Sequence, residues 1–177
     1  PTGSLRPDFL KAIAHEFNLS VFVETGTFMG DTSSTAASVF SIVHTVELSK
    51  DLFRNAVKRF EGQPNIILHN GDSARILPQI LKEITGNILF WLDGHFSEGV
   101  TAKGAENTPV IKELKAIQEA GLKGAVILID DLRCFDAVWA TVPQSSGARD
   151  YPSIAAVADA LLAIDKSYQI AVLGDAV

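Results

Sequence analysis

The sequence predicts an α/β fold: a largely parallel sheet covered by helices on both faces. Short β-branched or apolar runs alternate with longer stretches of helical spacing, and strand followed by helix, repeated, requires crossover connections. At 177 residues, 47% hydrophobic and 20% charged, the chain is long enough to bury a sizeable core and ordinary enough in composition to fold by itself. It shows no internal repeat and no low-complexity linker, so residues 1–177 are expected to form one domain.

Taken in order, "PDFLKAIAHEF" has helical spacing and "SVFVE" reads as the first strand. A helix over "DTSSTAASVFSIV", a strand at "VHTVE" and a helix over "KDLFRNAVKRF" follow. "NIILH" is the third strand, "SARILPQILKEI" a helix and "NILFWLD" the fourth strand. The pattern then gives a helix over "TPVIKELKAIQEA", a fifth strand at "GAVILIDD", a helix over "PSIAAVADALLAI" and a sixth strand at "YQIAVLG". The longest irregular stretch, residues 133–150, is long enough to be a functional lid.

Charge narrows the function. A net charge of −6 disfavours a phosphate-backbone binder, so nucleic acid is not an expected partner. No apolar run approaches the length of a membrane span, no membrane partner is expected, and "PTGSLRPDF" lacks the apolar stretch of a signal peptide. A cytoplasmic location is the expectation. The single Cys134 has no partner for an internal disulfide or a zinc site.

In open sheets of this type ligands bind at the carboxyl ends of the strands. Those ends carry Glu24, Glu47, Asp72 just past the third strand, Asp93, and the pair Asp130 and Asp131. Five successive strands thus deliver an acid to one edge. Gly26 and Gly30 let the backbone turn and approach a ligand, while Asp31, Thr32 and Ser33 offer N-cap chemistry to the next helix. Glu47, about twenty residues beyond the glycines, stands where an acid bonds ribose hydroxyls, so the ligand is expected to contain a ribose. The glycine pattern departs from G-x-G-x-x-G, with Thr27 at the position of an expected glycine, and no G-K-[ST] follows it. An acid-rich corner suits a ligand bearing an ammonium and a sulfonium.

"VFVETGTFMGDTS", "VHTVELS", "LHNGDSARILPQI", "FWLDGHFSEG" and "VILIDDLRCF", in this order, resemble the successive motifs of class I S-adenosylmethionine-dependent methyltransferases. They are most similar to the small-molecule O-methyltransferases of the catechol and macrocin (sugar) types. The resemblance implies a Rossmann-like three-layer sandwich with a mostly parallel seven-stranded sheet ordered 3-2-1-4-5-7-6; either the last strand is abbreviated here or the molecule is longer than the sequence shown. It places Glu24, Gly26, Thr27 and Gly30 around the methionine portion and Thr32 at its carboxylate. Glu47 falls at the ribose, Leu48 against the adenine, and Asp72 and Ser73 at the adenine edge. Asp93 falls near the methionine amine and, with Asp130 and Asp131, is implied to ligate Mg2+.

Methyl transfer from S-adenosyl-L-methionine to a hydroxyl of a small-molecule acceptor is the implied activity, with a homodimer among the assemblies the resemblance admits. The catechol branch has a lysine three residues past the strand-four acid, where this sequence has Phe96. His95 or Asp93 is then the candidate base. Phe96, Trp139 and Tyr151 are candidate walls for the acceptor. Two other readings stay open at this point: a nucleoside-binding domain of the same fold without turnover, and a related hydroxylase-like enzyme. A dehydrogenase fits poorly because the middle glycine is missing.

Overall fold

The computed structural model describes residues 5–94, 108–135 and 151–173. Five parallel strands, β1 (Val21–Thr25), β2 (Ile42–Glu47), β3 (Ile66–Asn70), β4 (Ile88–Leu92) and β5 (Val126–Ile129), form one sheet in the order β3-β2-β1-β4-β5. The helices are α1 (Pro7–Glu16), α2 (Asp31–Ala37), α3 (Lys50–Arg59), α4 (Ser73–Glu83), α5 (Val110–Ala120) and α6 (Ile154–Ile164), with a single 3-10 turn at Leu132–Cys134. From β1 the chain builds outward through β2 to β3, then returns to the other side of β1 for β4 and β5. The reversal lies between β1 and β4, the place in an open sheet of this kind where ligands bind at the carboxyl ends.

Burial on both faces explains why β1 and β4 read as unbroken apolar runs rather than alternating ones. Phe22, Leu89 and Trp91 pack with Leu10, Phe40, Ala56 and Phe60 on the side of α1, α2 and α3. Val21, Val23, Ile88 and Phe90 pack with Leu77, Leu114, Ile117 and Val157 on the side of α4, α5 and α6. Successive strand residues therefore feed two cores, which makes the architecture a three-layer sandwich.

The helix expected across residues 31–43 stops at Ala37, and Ile42 and Val43 belong to β2. Val39 and Phe40 donate to Ala36 in a closing turn, and burial of Phe40 among the α1–α3 residues pulls the chain off the helix axis. The five central strands follow the expected order, but residues 168–173 form no ladder. Leu173 makes only a single-residue bridge, and Ile170, Val172 and Leu173 are exposed. β-branched composition favours a strand only where a neighbouring strand pairs with it, and among the described residues none pairs along this run.

Candidate functional site

The chain turns sharply after β1. Gly26 and Gly30 have φ of 90° and 82°, and Phe28 between them is left-handed at 47°. The amide of Gly26 donates to the Val46 carbonyl at 2.9 Å, which ties the turn to β2. Both glycines make the turn expected of them, and each is also hemmed in by the fold. A Cβ on Gly26 would lie 2.4 Å from the Asp93 carbonyl oxygen, and one on Gly30 would lie 2.6 Å from the Phe60 ring. The close approaches at both positions are to the protein's own backbone and core.

The N-cap chemistry differs as well. Gly30 is the N-cap of α2 and no side chain caps it. Asp31 pairs with Arg59 at the surface at 2.8 Å, Thr32 is buried, and Ser33 donates its hydroxyl to Glu24.

Glu24 is the second departure. It belongs to β1 itself and is 1% exposed, on the same side of the sheet as Phe22. It accepts from Ser33 and from Thr45 at 2.6 Å, and Thr45 meets the Thr27 hydroxyl at 2.6 Å. Burial pushes its carboxyl up to about 8, the two hydroxyl bonds opposing this only in part and the charges of Asp93 and Glu47 adding to it. Glu24 is thus a protonated interior group at neutral pH, set beneath the edge and not on it.

Glu47 ends β2 beside the turn. Its Oε2 accepts from the Phe28 amide at 2.8 Å and its Oε1 from the Ser49 amide at 2.7 Å, while burial raises its pKa. Leu48, Phe28 and Met29 are exposed around it. Across β3, Asp72 caps α4 by accepting from Ala74 at 3.0 Å, and Ser73 turns inward to donate to Glu113. Ser73 therefore serves the interior of the fold. Asp93, half-buried after β4, donates its amide to the Thr25 carbonyl at 3.1 Å.

The implied magnesium set is not assembled. Asp130 accepts the amide of Asp131 at 2.8 Å, and Asp131 is left-handed and buried. Among the described residues no three His, Cys, Asp or Glu side chains are grouped so as to hold a metal ion. Of the other candidates, Tyr151 packs edge-on against Phe135 at 5.2 Å between ring centroids, within the α4–α6 core. His95, Phe96 and Trp139 lie outside the described residues.

Glu113 was not singled out from the sequence. Its signal was present: Val110, Leu114 and Ile117 mark the inner stripe of α5, and Glu113 falls on that stripe, 1% exposed. Burial pushes its carboxyl up to about 7.

No protein-family model and no curated protein matches the chain by sequence. Solved structures do match it. The O-methyltransferase TomG from Streptomyces achromogenes, in complex with SAM, superposes with a TM-score of 0.57 at 18% identity, over 81% of this chain and 63% of its own. An O-methyltransferase from Bacillus cereus in complex with SAH gives 0.59 at 17% identity, over 85% and 68%. Cofactor-bound Rv0187 from MTB gives 0.58 at 15%, over 95% and 72%. The chain thus spans about two thirds of the length of these proteins. Among the described residues no helix is long and apolar enough to cross a membrane. The five-strand order and these superpositions show that the chain shares the α/β fold of these solved O-methyltransferases.

Proposed function

We propose that the chain binds S-adenosylmethionine at the carboxyl edge of its sheet and transfers the methyl group to a hydroxyl of a small molecule. The observation that carries this reading is Glu47, the last residue of β2, held beside the glycine turn by the amides of Phe28 and Ser49. In a doubly wound sheet that is the position from which a carboxylate receives ribose hydroxyls. A carboxylate accepts at about four lone-pair positions, so the backbone amides of Phe28, Leu48 and Ser49 still leave accepting capacity for a ribose hydroxyl. Exposed Leu48 offers apolar surface beside it, and Asp72 stands across β3.

When bound, the cofactor supplies a methyl group on a positively charged sulfur. Glu47, Asp72 and Asp93 give the edge a negative field that favours such a cation. The turn formed by Gly26, Thr27, Gly30 and Thr32 shapes the space beside them. Transfer forms an oxygen–carbon bond and breaks a sulfur–carbon bond, and the acceptor hydroxyl must lose its proton. Asp93, just past the end of β4, is the first candidate to take that proton, with His95 two residues further on as the second. Among the described residues the carboxylates do not form a magnesium set.

Calorimetric titration with S-adenosylhomocysteine tests the reading, with NAD as the control and both magnesium and chelator arms. Micromolar binding without an NAD signal is the expected result. Glu47→Ala is expected to weaken binding about ten- to a hundredfold, the scale of charge-assisted hydrogen bonds. Unchanged affinity in that variant would remove the ribose assignment.

A further inference from the structure

Glu113 is a buried acid that no step above uses, and its carboxyl group touches three segments at once. Ser73 at the start of α4 donates a hydrogen bond to it, and the Thr25 hydroxyl at the end of β1 bonds to it as well. Gly94 lies so close that a Cβ there would stand 3.2 Å from Glu113 Oε1 and 3.2 Å from Thr25 Oγ1. Thr25 Oγ1 in turn accepts the Asp93 amide at 3.2 Å. These three segments carry Gly26, Asp72 and Asp93, which otherwise come from separate crossover units. An apolar side chain at this point would pack without direction, whereas two carboxyl oxygens set both the distance and the angle of each neighbour.

We propose that Glu113 is a positioning residue that locks the end of β1, the start of α4 and the Asp93–Gly94 turn into one frame. Its consequence for ligand binding rests on the methyltransferase reading; its geometry does not. Burial, with the charges of Asp72 and Asp93 facing it, holds the carboxyl near neutral-pH titration, so the protonated acid is well populated. Glutamine reproduces that form, with one acceptor and one donor arm.

Hydrogen–deuterium exchange and titration with S-adenosylhomocysteine, on wild type, Glu113→Gln, Glu113→Ala and Leu114→Ala, test the proposal. Glu113→Ala is expected to raise exchange about tenfold at residues 25–27, 72–74 and 93–94 together and to weaken binding about tenfold, the scale of one buried hydrogen bond lost. Glu113→Gln is expected to restore both. Leu114→Ala, which removes a buried side chain from the same helix, is expected to destabilise the fold without singling out those three segments. Exchange confined to α5, unchanged affinity in Glu113→Ala, or equal losses in Glu113→Gln would overturn the proposal. If wild type shows no binding while the three-segment pattern holds, the methyltransferase reading falls and the positioning role stands. Should Glu113→Ala not fold, the near-isosteric Thr25→Val decides: faster exchange at 93–94 supports the frame, and unaltered exchange overturns it.

Discussion

Urea unfolding at about pH 8.5 is expected to have a lower midpoint than at pH 7, the reverse of a fold held by salt-bridged carboxylates. Glu24 is the main cause, since burial raises its carboxyl from 4.5 to about 8. Glu113 adds to it, raised from 4.5 to about 7 for the same reason. The unfolded chain releases both protons near the ordinary carboxylate range, so over this interval the folded state binds more protons than the unfolded one. Stability then falls as the pH rises towards the folded values. His44 acts in the opposite sense but lower on the scale. Burial, reinforced by His69, lowers it from 6.5 to about 4, so its contribution is lost as the pH falls through that window and changes little above it.

One pKa unit corresponds to about 1.4 kcal/mol, so the loss between pH 7 and 8.5 is on the order of 1 to 2 kcal/mol. Glu24→Gln, which mimics the protonated acid and keeps an acceptor for Ser33 and Thr45, is expected to flatten this slope. A wild-type midpoint that stays level or rises over the same range would show that Glu24 is ionised in the folded protein.

Gly26→Ala is expected to be the most damaging of the glycine substitutions. The residue combines a φ of 90° with a prospective Cβ only 2.4 Å from the Asp93 carbonyl oxygen. The obstacle is backbone and cannot swing aside, so β1 and β4 must part at their carboxyl ends. The left-handed conformation costs about 1 to 2 kcal/mol for an L-residue, and forced repacking about 1 to 3 more. Gly62→Ala separates the two contributions, because Gly62 has a φ of 79° and nothing within 4 Å of its prospective Cβ. Thermal denaturation should show Gly62→Ala losing only the conformational part, about 1 kcal/mol. Gly26→Ala should lose a few kcal/mol and most of its affinity for S-adenosylhomocysteine. Equal losses in the two variants would mean that the approach of the β1 turn to Asp93 is not a constraint.

Much of this protein could be read along the chain. The alternation of apolar runs with helical stretches predicts β1 to β5 and the helices between them, because burial on two faces leaves a continuous apolar signature that needs no neighbour to interpret. Glu47, Asp72 and Asp93 also fall at the edge expected of them, since the end of a strand in a parallel sheet determines its edge. The failures share a physical cause. Glu24 looks like an edge acid, and only its pairing between β2 and β4 shows that it is desolvated and bound by Ser33 and Thr45. Asp130 and Asp131 look like paired ligands, and only the structure shows that Asp131 is left-handed and buried and that no three such acids are grouped among the described residues. A run such as "YQIAVLG" has strand composition, yet strand formation depends on a partner that composition does not specify. Helical and strand periodicity are local properties, and they determined the layers and the carboxyl edge of the sheet. Which acids are buried, protonated or turned towards that edge depends on side chains brought together from distant positions, and this the tertiary structure alone decided.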